Sequence, residues 1–163
     1  MVILRCTKKL LNRLRVDLVA EEQFSSNLLG AWYANVFIVE RKPYVICTNE
    51  RSFLSVIVPF KESATIAQRF QIAVHDLFRT ISIPESAIER ELREMSIVKF
   101  GRTENRNLLG NMKELTLSAQ TSMWVHPEEG LPKLAVYLSG YLIGPAPYRV
   151  PKELAHRLLC GAA

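Results

Sequence analysis

Residues 32–59 read WYANVFIVERKPYVICTNERSFLSVIVP. Three runs in this stretch are rich in Val, Ile, Phe and Tyr: Trp32 to Glu40, Tyr44 to Cys47, and Phe53 to Val58. Only the turn Glu40-Arg41-Lys42-Pro43 and the polar link Thr48-Asn49-Glu50-Arg51 separate them, and the third run stops at Pro59. Links this short join strands only as antiparallel neighbours, so the stretch reads as a three-stranded meander. Trp32 to Val39 is apolar on both alternating faces, which predicts a central strand covered on both sides. Trp32 and Tyr33 then point to opposite faces, one as core and the other as core or as an anchor for a partner.

Working outward toward the N-terminus, Val2 to Cys6 reads as a short apolar strand interrupted by Arg5. Thr7 is placed to cap a helix in which Leu10, Leu11 and Leu14 share the inner face and Lys8, Lys9, Arg13 and Arg15 the outer. Residues 19–30 read as a loop ending at Gly30. Toward the C-terminus helices take over. Residues 63–79 place Ile66, Phe70, Val74, Leu77 and Phe78 at helical spacing, with Ser63 as cap. Ser82-Ile83-Pro84-Glu85 has the form of a capping box before a helix facing inward through Ile83, Ala87, Ile88, Leu92 and Met95, with Glu89 and Arg93 paired outside.

A further strand is expected over Ser96 to Gly101. A helix beginning near Asn105 follows, with Leu108, Leu109, Met112, Leu115 and Ala119 inward. Residues 121–130 read as a loop, Leu131 to Leu142 as a helix, Gly144-Pro145-Ala146-Pro147 as a break, and Pro151 as the start of a last helix ending at Gly161. The pattern is α+β: a small antiparallel sheet made of the N-terminal strand, the meander and one later strand, packed against several helices. No linker divides the chain, so residues 1–163 are expected to form one domain, with Trp32, Val36, Ile38, Phe70, Leu92 and Met112 in one shared core.

The 163 residues are enough to bury a core without disulfide or metal staples. Cys6, Cys47 and Cys160 are far apart and lack CxxC spacing, which fits buried or free thiols in a reducing cytoplasm. No run is long enough to span a membrane, and the N-terminal apolar run is too short for a signal peptide. His75, His126 and His156 have no metal-ligand spacing, so neither metal nor cofactor is expected; His126, between Trp124 and Pro127, is the histidine worth examining. The net charge of +5 permits contact with a polyanion without demanding it.

Two similar polar motifs stand at strand ends: Thr48-Asn49-Glu50-Arg51 and Thr103-Glu104-Asn105-Arg106. Neighbouring strand ends would merge them into one cluster. Arg forks and Asn amides bind phosphate or carboxylate, and a helix starting near Asn105 would add N–H groups. The competing reading is that Asn and Thr serve as turn and cap residues while Arg and Glu pair across strand ends. The basic face carrying Lys8, Lys9, Arg13 and Arg15 is open to the same choice, as a phosphate contact or a solvated helix face.

The segments Cys6-Thr7-Lys8-Lys9-Leu10-Leu11, Leu29-Gly30-Ala31-Trp32-Tyr33-Ala34-Asn35, Thr48-Asn49-Glu50-Arg51 and Asn105 to Met112 together resemble a bacterial family of small, single-domain proteins of unknown function. The resemblance covers residues 1 to about 120 and fades beyond. The family pattern has a small hydroxyl residue where Asn107 stands and Asn where Lys113 stands, which counts against a Ser-based enzyme here.

The leading expectation is a non-enzymatic binding module that engages an anionic partner, nucleic acid or an acidic protein, weakly and in a salt-sensitive way. Thr7, Lys8, Asn49, Glu50, Arg51, Arg102, Asn105 and Arg106 are its candidate binding residues. The alternative is a small enzyme acting on a phosphorylated or acylated substrate, with Glu50 or Glu104 as base and Arg51, Arg102 and Arg106 holding the anion.

Overall fold

Five strands form one sheet in the order β4-β3-β2-β1-β5. The computed structural model describes residues 1–144 and 147–161. Pro145 and Ala146, within the expected break before the last helix, lie outside the described residues, as do Ala162 and Ala163. The strands are β1 (Val2–Cys6), β2 (Trp32–Val39), β3 (Lys42–Asn49), β4 (Ser55–Pro59) and β5 (Val98–Arg102). The helices are α1 (Lys8–Leu14), α2 (Ile66–Thr80), α3 (Glu85–Glu94), α4 (Arg106–Val125), α5 (Gly130–Ser139) and α6 (Pro151–Cys160). A short 3-10 turn, Ser63–Thr65, precedes α2.

The class is α+β, and β2, β3 and β4 form the antiparallel meander. The sheet as a whole is mixed, because β1 runs parallel to both β2 and β5. Residues 7–31, which hold α1, are long enough to carry the chain back and start β2 in the direction of β1. The hairpin between β2 and β3 is tighter than expected. Val39 pairs with Lys42, and Glu40 and Arg41 both take positive φ, 49° and 66°. That conformation matches the strand twist, and it draws Lys42 and Pro43 into β3.

The expected shared core is two cores, because helices cover both faces of the sheet. Trp32, Val36 and Phe70 belong to the layer beneath α1, α2 and α3, where Phe70 meets the Trp32 ring edge-on at 5.3 Å. Met112 belongs to the layer between the sheet and α4. Leu92 is half-buried at the margin of the first layer. Ile38 is 46% exposed, since β2 outruns β1 at that end. Trp32 and Tyr33 do take opposite faces, and both are buried, so neither is an exposed anchor.

Helix ends differ from the sequence reading at four places, one of them α5, which ends at Ser139 and not at the expected Leu142. Thr7 caps α1 as expected, its hydroxyl accepting from the Leu10 N–H at 3.4 Å. Ser63 caps nothing and donates to the Arg13 carbonyl at 3.3 Å. Ser82 takes a left-handed φ of 64° and makes no cap, so α3 starts after Pro84. Glu89 and Arg93 are both exposed and unpaired among the described residues. α4 runs on to Val125, absorbing half of the expected loop; Thr121 accommodates the helix by donating to the Leu117 carbonyl, and Pro127 follows its end.

Cys6 and Cys47 are buried on the same face of the sheet. Burial pushes the Cys6 thiol up to about 12. Burial, and secondarily Cys6, holds Cys47 well above the ordinary thiol range. Both behave as small apolar side chains with no thiolate to react.

Candidate functional site

β1 and β5 are adjacent and parallel, with Cys6 opposite Arg102, yet the helices that follow them leave in opposite directions. α1 sends Leu10 and Leu14 into one layer, while α4 sends Leu108 and Met112 into the other. Where two parallel strands diverge this way, the topology has a switch point, and ligands of open α/β sheets characteristically bind outside the carboxyl ends there. Thr7 and Lys8 follow β1 there, and Arg102, Thr103, Glu104, Asn105 and Arg106 stand at the end of β5.

The polar caps at these strand ends are already engaged. The Thr7 hydroxyl donates to Asn35 Oδ1 at 2.6 Å. The Asn105 side chain accepts from the Leu108 N–H at 3.1 Å, starting α4. Lys8, Arg102 and Arg106 are exposed, and no ion pair engages any of them among the described residues. Arg106 opens a 20-residue helix whose dipole favours negative charge, Arg102 ends β5, and Lys8 opens α1.

The other motif is turned to a different use. Asn49 is fully buried. Its amide donates to the Leu29 carbonyl at 2.9 Å and to the Ala31 carbonyl at 3.3 Å. Its Oδ1 accepts from the Arg51 and Ser52 N–H groups and from the Ser52 hydroxyl, at 3.1, 2.8 and 2.8 Å. Glu50 Oε1 accepts from the Ala31 N–H at 2.7 Å, and the exposed Arg51 donates to the Leu28 carbonyl at 2.8 Å. β2 and β1 lie between β3 and β5, and β3 runs antiparallel to β2 while β1 and β5 run parallel to it, so the two motifs are three strands apart and leave the sheet at opposite ends. They do not form one cluster.

Arg5 and Tyr33, neither of them among the sequence candidates, hold the β5 motif. They are cross-strand neighbours on the α4 side, and both are buried. Arg5 pairs with Glu104 at 2.9 Å and donates to the Arg102 and Gln23 carbonyls, each at 3.1 Å. The Tyr33 hydroxyl oxygen accepts from the Asn105 N–H at 3.2 Å. Burial raises the Tyr33 phenol above its ordinary value, and Glu50 adds to this; the Asn105 and Glu104 N–H groups and the Arg5 charge oppose it. The two side chains thus fix the start of α4 against β1 and β2. The signal was present in the sequence: a charge inside a five-residue apolar strand must be paired when the strand is buried.

Glu91 is likewise absent from the sequence candidates. It is fully buried. It accepts from the Asn27 amide at 2.7 Å, the Leu28 N–H at 2.9 Å and the Leu29 N–H at 3.0 Å, pinning the end of the 19–30 loop.

Among the described residues, no group of three or more His, Cys, Asp and Glu could hold a metal ion, and no helix is long and apolar enough to cross a membrane. No curated protein matches the chain. Among solved structures, the catalytic core domain of BIV integrase is 12% identical, with a TM-score of 0.46 over 75% of this chain and 90% of that one, a likeness too distant to inform the site. The family profile described as Domain of unknown function (DUF6933) matches residues 3–154. That span reaches past the point where the sequence resemblance fades, and the chain belongs to this family.

Proposed function

We propose that this protein is a cytosolic, non-enzymatic binding module that engages the phosphates of a nucleic acid, or an acidic protein, at the carboxyl ends of β1 and β5, where α1 and α4 begin. The observation that carries the reading is the exposure of Lys8, Arg102 and Arg106, unpaired among the described residues, around the carboxyl ends of two parallel strands. Thr7, Asn105, Glu104 and Arg5 hold the two strand ends in place and leave the three cations to the partner. Asn49, Glu50 and Arg51 serve as scaffold in this reading.

The enzyme alternative is less well supported. Its candidate bases are occupied, Glu104 by Arg5 and Glu50 by the Ala31 N–H. Cys6 and Cys47, buried as thiols, are consistent with a reducing compartment.

Binding of a single-stranded oligonucleotide, followed by anisotropy at several salt concentrations, tests the proposal. Three phosphate contacts predict a slope of log K against log salt of about −2. The variant K8Q/R102Q/R106Q should flatten that slope and leave binding barely measurable. Tight, salt-independent and sequence-specific binding would contradict the proposal.

A further inference from the structure

β4 is the edge of the sheet farthest from β5. Its register pairs Val58 with Val45 and Val56 with Cys47. Two bonds at the ends of this ladder, Phe60 N–H to the Pro43 carbonyl and Asn49 N–H to the Leu54 carbonyl, fix its phase. Val56 and Val58 turn their backbone groups toward β3, so Ile57 and Pro59 turn theirs outward. Pro59 has no N–H to leave unpaired, as suits an outward position on an edge strand. The outward N–H and carbonyl of Ile57 have no hydrogen bond among the described residues, although Ile57 is only 3% exposed. Buried backbone groups are almost always paired, and these two are matched by another backbone.

A groove of about 200 Å³ runs here, shared by residues 56–59, α2 and the start of α5. α2 packs on the layer that holds Val56 and Val58, and α5 sends Leu134 and Leu138 into the layer that holds Ile57. The two helices therefore wall the edge from either face. Ile72 and Ala73 line the groove from α2, and Leu131 and Pro132 from α5. One cation, Arg69, and one carboxylate, Asp76, also line it, so net charge does not select the occupant. The volume is below the roughly 300–1,000 Å³ of a site for a drug-sized molecule.

We infer that the groove takes a short, extended, apolar segment of another protein, which adds to β4 as a sixth strand. The segment's backbone exchanges hydrogen bonds with Ile57, and its alternate side chains lie against the α2 wall and the α5 wall. The five-residue length of β4 and Pro59 at its end limit pairing to such a segment. The inference is independent of the anion-binding proposal, which concerns the far side of the sheet.

Nuclear magnetic resonance of the ¹⁵N-labelled full chain tests it, with the blocked pentapeptide Ac-Thr-Val-Ile-Val-Thr-NH₂ as probe. In the free chain the Ile57 amide should exchange with solvent faster than those of Val56 and Val58. The peptide should shift the Ile57 resonance saturably, slow its exchange, and bind equally at low and high salt. The same peptide N-methylated at its three central residues should bind about three- to tenfold more weakly. Ile72→Asp, at a position 54% exposed and so compatible with folding, should bind about fivefold more weakly. K8Q/R102Q/R106Q should bind the peptide as the wild type does. An Ile57 amide already as protected as its neighbours, no saturable shift, or equal affinity for the N-methylated peptide would overturn the inference. So would sedimentation showing a dimer of the chain that the peptide cannot displace.

Discussion

Asn49→Ala is expected to lower the melting temperature by about 10 °C while leaving affinity for an anionic ligand unchanged. The Asn49 amide is out of contact with solvent and has every polar atom engaged, donating to Leu29 and Ala31 and accepting from Arg51 and Ser52. Truncation strands the Leu29 carbonyl and the Arg51 and Ser52 N–H groups, takes the acceptor from the Ser52 hydroxyl, and leaves a gap behind the turn into β4, while the Ala31 carbonyl keeps the Glu50 N–H. Each stranded group costs about 1–3 kcal/mol, partly recovered by relaxation, so a net loss of about 3–4 kcal/mol is expected. Asn49→Asp keeps the acceptor and loses the donors, so it should also destabilise. Thermal melts of both variants check this; a shift of a degree or two would show that the turn holds without Asn49.

Glu91→Ala should have an effect of the same size through a different element. The carboxylate is a buried acceptor for three donors, all from the segment Asn27–Leu29. Its removal leaves the Asn27 amide and two backbone N–H groups facing a void between α3 and the loop. A loss of about 3–5 kcal/mol follows, again about 10 °C in melting temperature. Glu91→Gln preserves the volume but turns an N–H₂ toward one of the donors, and should fall between Ala and wild type. Hydrogen exchange locates the damage: the amides of Leu28 and Leu29 should lose protection before the rest of the sheet. Uniform loss across the sheet, or no loss, would contradict the pinning role.

The meander was legible because three β-rich runs joined by links of a few residues leave only one arrangement, as β2, β3 and β4 show. The direction of β1 was not legible from local pattern. It depends on residues 7–31, and a run of five buried residues reads the same whether its neighbours are parallel or antiparallel. Composition likewise could not place the two polar motifs. Each was correctly read as lying at a strand end, yet β1 and β2 come between them, and strand order is a tertiary property. Helical spacing puts Glu91 between Ile88 and Met95 on the inner face of α3, but the partners that let a carboxylate be buried there lie some sixty residues earlier, where no local pattern shows them. Thr7 and Asn105 were read as helix starts because a side-chain cap is a local interaction.

Arg106 is where the binding account and a purely architectural one separate most sharply. Its side chain is exposed and has no ion pair among the described residues, at the first turn of α4 and beside the carboxyl ends of β1 and β5. The direct measurement is the melting temperature of Arg106→Ala taken together with its affinity for a single-stranded oligonucleotide at low salt. The account predicts melting within about 1–2 °C of wild type, as for an exposed side chain, and affinity reduced by about three- to tenfold, as for one lost phosphate contact. A fall in melting temperature comparable to that of Asn49→Ala, with affinity per folded molecule unchanged, would make Arg106 part of the scaffold and contradict the site.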